Sequence, residues 1–319
     1  MNRLPQISII ILNYNTGSFT ESCLNSIFEN TDASILEIIV VDNNSVERSV
    51  ELLKKKFPSV KFFFRNTNDG FAGGCNFGAG EATGNYLLFL NPDVVIKEDI
   101  FPKMKEFIDQ NEDAGILSGA MYDDEDRIRY FYNYFPDLSW EIAVLLPVLL
   151  DRKINKLNSV PEIKSNKSFD VDWFHGAFIF IRKKDFELIG GYNEDYFIYY
   201  EDVEICYKMK NFLDKRIICL PEIRYYHSTK SSLSNESTDD IYIFHMNRSK
   251  LLFIRNYKFL KRSGIYLAAL SNIFSRILIL PFWNKYKNRK LLKLHQLLKI
   301  LKLYFSRSYL IKSKYEFSK

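Results

Sequence analysis

The sequence predicts an α/β fold organised around a mostly parallel sheet. Over the first 120 residues, short β-branched or aromatic runs alternate with longer amphipathic stretches, the pattern of successive βαβ units. The run Tyr86-Leu87-Leu88-Phe89-Leu90 is apolar without a break, as in a strand covered on both faces. That run, like Ile38 to Val41, passes directly into polar residues, which sets those side chains at the carboxyl edge of the sheet, where open α/β sheets bind ligands.

In chain order, residues 7–12 form the first expected strand and residues 18–29 a helix, with Ser18 as N-cap and Phe19, Cys23 and Ile27 on one face. Residues 35–41 are the second strand and 46–57 the second helix. A third strand follows at 61–64, then a glycine-rich helix at 72–82. The fourth strand, 86–90, ends before Pro92, which has no N–H for a ladder, and 100–110 read as another helix. Residues 122–168 are irregular and read as an insertion, with an apolar stretch at 140–150 followed by a Lys/Asn/Ser run. Regularity resumes with a strand at 173–181, a short helix near 184–188, a break at Gly190-Gly191, a helix starting near Glu201 and a strand at 216–220.

A chain of 319 residues, 47% hydrophobic, has enough apolar material for a sizeable core. Cys23, Cys75, Cys206 and Cys219 are scattered without C-x-x-C spacing, so reduced, mostly buried thiols are expected rather than disulfides or a zinc site. Residues 1–6 show no apolar segment after a basic start, and a cytosolic protein is the expectation. The net charge of +5 hides an asymmetry: residues 241–319 hold 18 Lys or Arg and one acid, Glu316. Such a tail suits a polyanionic partner. Residues 266–282 are apolar but carry Arg276, and at 17 residues are marginal for spanning a bilayer. Residues 285–305 alternate Lys or Arg with Leu and Ile, which suits either an interfacial helix on anionic lipid or a helix packing its Leu face on the core. Nucleic acid is disfavoured, since the bases alternate with aliphatics instead of stacking aromatics.

Asp93 projects beyond Pro92 at one strand end, and Asp42 follows a second strand; together they outline a site, although an Asx turn would also explain Asp93. An Asp there accepts the imide N–H of uracil or thymine. Asn13-Tyr14-Asn15 follows the first strand. Asn68 to Asn76, containing Gly70, Phe71, Gly73 and Gly74, is a glycine-rich loop opening a helix; small residues there either let backbone N–H groups approach a ribose or phosphate or simply pack closely. It is no dinucleotide fingerprint: the nearest match, Gly78 to Thr83, lacks the third glycine, and no G-K-[ST] exists. Glu201-Asp202 opens a helix behind Tyr196, Phe197, Tyr199 and Tyr200. Acids in an aromatic pocket are candidates for a raised pKa and general-base work, the alternative being favourable dipole partners. His227 gains weight if it meets Asp93 around a divalent cation whose shell a nucleotide diphosphate completes.

In this order, Asn13-Tyr14-Asn15, Val41-Asp42-Asn43-Asn44-Ser45, Asn68 to Asn76, Leu90-Asn91-Pro92-Asp93, Trp173 with Gly176-Ala177, Glu201-Asp202 and His227 resemble the family 2 glycosyltransferases of the GT-A fold, and among them bacterial rhamnosyltransferases using dTDP-rhamnose. The resemblance covers residues 5–230. It implies that Asp42 binds the nucleotide base, that Asn13, Asn15, Asn44 and Asn68 line the nucleotide, and that Gly70, Phe71, Asn76 and Asn91 belong to the donor site. Trp173, His175 and Gly176 would form the acceptor and sugar pocket. Asp93 and His227 would ligate Mn²⁺ or Mg²⁺, and Asp202, with Glu201, would be the catalytic base. One departure weakens the metal: Asn91 stands where the family's D-x-D element has its first acid.

The expected organisation is a catalytic domain over 1–230, with a nucleotide-sugar half (1–120) and an acceptor and catalytic half (121–230), then a basic helical region (231–319) associating peripherally with the cytosolic face of the inner membrane. The implied partners are a nucleotide-diphosphate sugar, a lipid-linked or oligosaccharide acceptor and an anionic membrane surface. A UDP-sugar (GlcNAc, Gal or Glc) is the alternative donor. A catalytically silent membrane-bound glycan-binding protein is the alternative class, for which loss of Asp93 or Asp202 would be expected; both are present.

Overall fold

Ile7, Ile9, Ile10 and Ile11 have no solvent exposure, so the first strand is central, flanked on both edges. The computed structural model describes residues 6–47, 49–129, 131–139, 141–142, 163, 165–228, 236–282 and 290–306. In chain order its strands are β1 (Ile7–Asn13), β2 (Leu36–Asp42), β3 (Lys61–Phe64), β4 (Tyr86–Leu90), β5 (Val94–Val95), β6 (Ala114–Tyr122), β7 (Tyr132–Asn133), β8 (Phe169–Asp170), β9 (Trp173–Phe174), β10 (Phe178–Arg182) and β11 (Arg216–His227). The main sheet runs β3-β2-β1-β4-β10-β6-β11-β5, with β8 on β11, while β7 and β9 pair separately. β3, β2, β1 and β4 are parallel neighbours, as are β6 and β11; β10, β5 and β8 run against their partners. Among the described residues the sheet is mixed, with four parallel and four antiparallel neighbouring pairs; the expected parallel arrangement is that of β3-β2-β1-β4 and of β6 with β11.

The helices are α1 (Gly17–Asn30), α2 (Ser49–Lys56), α3 (Gly70–Glu81), α4 (Phe101–Gln110), α5 (Lys183–Leu188), α6 (Glu201–Phe212), α7 (Glu236–Phe253), α8 (Phe259–Ile279) and α9 (Lys290–Ser306). Ser18 is not the N-cap of α1. Thr16 holds that place without capping, because its hydroxyl donates to Asn13 Oδ1 (3.0 Å). The expected single strand 173–181 breaks at His175-Gly176-Ala177 into β9 and β10. β6 was not foreseen: its Gly115, Ser118 and Gly119 have low strand propensity, yet a Cβ at Gly115 would lie 2.4 Å from Met209 and one at Gly119 2.4 Å from the Ile223 carbonyl oxygen. β11 does not stop at Leu220. A register shift between Leu220 and Arg224 absorbs Pro221 as a bulge, and the strand resumes to His227. The apolar stretch at 140–150 and the start of the basic run at 285 lie mostly outside the described residues.

At the sheet edge opposite the strand ends that carry Asp42 and Asp93, Glu37 is 7% exposed. It accepts from Thr83 N (2.7 Å) and Thr83 Oγ1 (2.9 Å), from the Ser8 hydroxyl, and pairs with Lys61. Burial raises its pKa, and these donors more than offset that, leaving about 2. The folded-state value lies below the unfolded one, so the stabilisation is present above the ordinary carboxylate range and is lost as pH falls towards 2. Lys61 is half exposed, which screens its share. Glu37→Ala is expected to cost about 3 kcal/mol at neutral pH, mostly from the buried donors left unmatched. In denaturant titrations the gap to wild type should narrow below pH 4; a pH-independent gap would contradict an ionic tie.

The last three helices form a second apolar core. Leu251, Phe253, Ile254, Ile265, Ile273, Leu297, Ile300 and Leu303 bury against one another and against Tyr196 and Val203. Leu297, Ile300 and Leu303 of α9 are thus packed inward. Lys250 pairs with the buried Glu141, whose backbone carbonyl also accepts from Asn272 Nδ2 (3.0 Å). All four cysteines are free and buried, as expected.

Candidate active site

The parallel register sets the site's first wall. Asn13 is the register partner of Asp42, and Ile11 that of Leu90, so the residues after β1, β2 and β4 meet at one edge. Asp42 is 6% exposed and Asn13 wholly buried. Asp42 Oδ1 accepts from Asn13 Nδ2 (2.7 Å) and Ser45 Oγ (2.6 Å), and Oδ2 from Ser45 N (3.0 Å). A carboxylate offers about four acceptor positions; three are filled, leaving one. Asn13 Oδ1 takes the hydroxyls of Thr16 (3.0 Å) and Thr20 (2.7 Å), which locks the amide that orients Asp42. Asn15 and Asn44 both adopt left-handed backbone (φ 54° and 66°) and are exposed. Asn15 Oδ1 accepts from Val46 N (2.9 Å), closing the turn.

Asn43, which sequence reasoning passed over in favour of Asn44, is 1% exposed. Its Nδ2 donates to Asn68 Oδ1 (2.8 Å) and to the Gly70 carbonyl (3.0 Å), tying β2 to the glycine-rich loop. Gly70 N donates to Asn68 Oδ1 (3.0 Å) and Phe71 N to the Phe197 carbonyl (2.8 Å). These first helical donors are therefore engaged within the protein. The glycines behind them serve packing: a Cβ at Gly74 would lie 2.2 Å from Leu12, and at Gly78 2.6 Å from Ile10. Asn76, one turn on, clasps the Tyr192 backbone through Nδ2 (2.8 Å) and Oδ1 (2.9 Å). Close packing, rather than open approach to a phosphate, explains this segment.

Beyond β4, Asn91 N donates to the Ala177 carbonyl (3.0 Å), which draws the 175–177 turn beside the strand end. Asp93 Oδ1 lies 3.2 Å from His227 Nε2, with the Asp93 side chain 15% exposed. β5 brings them together, since Val94 pairs with His227 across the sheet. The expected meeting of these two residues is observed. Trp173 stacks on His175 (5.3 Å between centroids) and donates Nε1–H to the Tyr134 carbonyl (2.8 Å). His175 is exposed.

Asp202 closes the opposite wall. Its Oδ2 accepts from Gly176 N (2.9 Å) and its Oδ1 from its neighbour Val203 N (2.8 Å). A Cβ at Gly176 would stand 3.5 Å from Asp202 and 3.8 Å from Phe71, so the turn, the acid and the aromatic converge. Just before the pair, Tyr199 and Tyr200 are both left-handed (φ 67° and 69°), a strain of about 1–2 kcal/mol each. Helix α7 holds it from behind: Arg248 Nη1 donates to the Asp195 carbonyl (2.7 Å), Ser249 Oγ to the Ile198 carbonyl (3.1 Å), and Phe253 packs on Tyr200.

Dehydration pushes the Asp202 pKa up to about 6, against the pull of backbone N–H donors that include Val203 and Gly176. Glu201 is 4% exposed; burial first and the charge of Asp202 second raise it well above the carboxylate range. Asp202 is thus the acid of the coupled pair that ionises first, and its charge helps hold the proton on Glu201. Any reaction using Asp202 as a base should decline with a one-proton slope as pH falls through about 6. Glu201→Gln should leave this limb within about one unit in a pH–rate profile. A larger displacement would mean Glu201 is charged in the working enzyme.

The family model described as Glycosyl transferase family 2 matches residues 8–189, more than half of the chain. The chain belongs to glycosyl transferase family 2. Among the relatives it resembles, an uncharacterized glycosyltransferase of Haemophilus influenzae is 36% identical over 175 residues, 50% of this chain and 68% of that one. The rhamnosyltransferase WbbL of Escherichia coli is 29% identical over 130 residues, 40% of this chain and 47% of that one. The chain thus spans about two thirds of the first relative's length and about half of the second's. The solved structure of S. aureus TarS 1–349 in complex with UDP-GlcNAc superposes with a TM-score of 0.56 at 17% identity, covering 94% of this chain and 80% of that one. The mannosyltransferase PcManGT from Pyrobaculum calidifontis, in complex with GDP-Man and Mn²⁺, gives 0.55 at 15% identity, covering 97% and 86%. These likenesses show that this family 2 glycosyltransferase has the GT-A fold.

Proposed function

We propose that this chain is an inverting hexosyltransferase that moves L-rhamnose from dTDP-rhamnose to a hydroxyl of a lipid-linked or growing cell-surface glycan, peripherally at the cytosolic face of a membrane. The observation that carries the reading is the convergence of Asp42, the Asp93–His227 pair and Asp202 around one sheet edge. Asp42 has one acceptor position left for the imide N–H of a thymine or uracil base. Asn15, Asn44 and Asn91 would line the nucleotide directly, while Asn13, Asn68, Gly70, Phe71 and Asn76 would act by holding the strand ends and the loop that frame it. Trp173, His175 and Gly176 would border the sugar and acceptor.

Asp202, ionised near neutral pH, would take the proton of the acceptor hydroxyl as that oxygen forms its bond to the anomeric carbon. The bond from that carbon to the diphosphate oxygen breaks, and the nucleoside diphosphate leaves with the electron pair. Among the described residues no group of three or more His, Cys, Asp or Glu is gathered for a metal. Asp93 Oδ1 is buried without a hydrogen-bond donor and faces His227 Nε2, so these two fit a divalent cation whose other ligands are phosphate oxygens. Bound there, Mn²⁺ or Mg²⁺ would neutralise charge on the diphosphate.

The name of WbbL supports rhamnose, and the UDP-GlcNAc held by TarS supports the second reading, a UDP-sugar donor (GlcNAc, Gal or Glc). Thermal unfolding with dTDP or UDP plus Mn²⁺ separates the readings, because a ligand at about 100 times its Kd adds about 2.7 kcal/mol. A larger upshift with dTDP, and hydrolysis of dTDP-rhamnose in preference to UDP-sugars, is the expected result. Preference for UDP-GlcNAc would favour the second reading, and hydrolysis of no donor would overturn both.

A further inference from the structure

Helix α8 turns Ile265, Ala269 and Ile273 into the second core. Its opposite face is not covered by any described part of the chain. Leu260, Leu267, Ser271, Phe274 and Leu278 are exposed, the four apolar members at 84%, 61%, 46% and 73%. Their spacing of seven, four, three and four residues aligns them on one stripe of the helix. The stripe spans about 27 Å at the helical rise. Helix α9 repeats the pattern with Leu291, His295, Leu298, Lys302 and Phe305 exposed, while Leu297, Ile300 and Leu303 face inward.

The charge around these stripes identifies their occupant. No Asp or Glu occurs from residue 241 to 306, whereas Lys258, Lys261 and Arg262 stand at the start of α8 and Lys293, Lys299 and Lys302 on α9. A second copy of the chain would bring two cationic faces together. A surface that is apolar below and anionic above matches both features. Neither helix is long and apolar enough to cross a bilayer, and Asn272 and Arg276 interrupt α8.

We infer that the Leu260–Leu278 stripe of α8 lies in the plane of an anionic lipid surface, its leucines and Phe274 among the acyl chains and the flanking Lys and Arg among the head groups. This deepens, and rests on, the proposal of a membrane-borne acceptor. It also gives the docking a route to the site, because the core beneath α8 includes Tyr196 and Val203, which flank Glu201-Asp202 in sequence. Removing the tail would strip that core, so the test retains the full chain.

The whole 319-residue chain is sedimented with phosphatidylcholine vesicles with or without about one third phosphatidylglycerol. Wild type should partition into anionic vesicles about tenfold or more better than into neutral ones, and high salt should weaken it. L267S/F274S/L278S should lose about tenfold or more of that partition with unchanged thermal stability, since all three side chains are already exposed. Wild type that ignores anionic lipid, a triple variant that partitions like wild type, or a wild-type dimer that the same substitutions dissociate would each overturn the inference. Donor hydrolysis in lipid-free buffer reports on the proposed activity separately: its absence alongside lipid binding would count against the donor reading and leave the docking face standing.

Discussion

Replacing Asp202 with Asn is expected to cut sugar transfer by about a thousandfold, ~4 kcal/mol of barrier, while nucleotide affinity stays within about twofold. Asn keeps the size of the side chain but cannot accept the acceptor's proton. One of its two terminal atoms becomes a donor facing Gly176 N or Val203 N, whose hydrogen bonds the carboxylate receives at 2.9 and 2.8 Å. Some local loosening is therefore built in, and nucleotide titration distinguishes it from loss of the base. Asp42 and Asp93 belong to other strand ends and remain intact. Residual turnover within about tenfold of wild type would remove Asp202 from the base's role.

The second large effect is structural and spreads to the site. Gly70 has φ +77°, and a Cβ there would lie 2.1 Å from the Phe197 carbonyl oxygen and 2.8 Å from its ring. The obstacle is backbone, so it cannot swing aside. Gly70→Ala should cost about 3 kcal/mol, from left-handed strain plus displacement of the 197 loop. That displacement breaks the bond from Phe71 N to the Phe197 carbonyl and disturbs the left-handed Tyr199 and Tyr200 that aim Asp202. Turnover should fall about tenfold or more in protein that is still folded. Gly80 is the control: nothing lies within 4 Å of its Cβ position, so Gly80→Ala in the same helix should be neutral or slightly stabilising. Denaturant midpoints and kcat for the two variants check this. Equal behaviour would show that the 70–197 contact does not brace the site.

Much of the site's frame was legible in the sequence because its elements are local. β4 is an uninterrupted apolar run, and β1 and β2 are apolar apart from Ser8 and Glu37, so Asn13, Asp42 and Asp93 at their ends had to emerge at one edge once the strands were parallel. The raised pKa of Asp202 followed from acids set among aromatics. What escaped was non-local. β6 is rich in glycine because Met209 and Ile223 press on it from helices and strands far along the chain. The second half of β11 hid behind Pro221, since a bulge depends on its partner strand. Asn43 and Asn44 are adjacent and chemically identical, and only the left-handed turn at Asn44 decides that Asn43 points inward. The hold of Arg248 and Ser249 on the strained 195–200 loop connects residues about fifty positions apart, with no sequence pattern to announce it.

A single displacement at the anomeric carbon, with Asp202 as base and one diphosphate sugar bound along the strand ends, would invert that carbon. The most direct measurement is the anomeric configuration of the first-formed product, read by proton NMR coupling constants during transfer to a soluble acceptor. Inversion relative to the donor, lost together with turnover in Asp202→Asn, is the predicted result. Retention of configuration would contradict it.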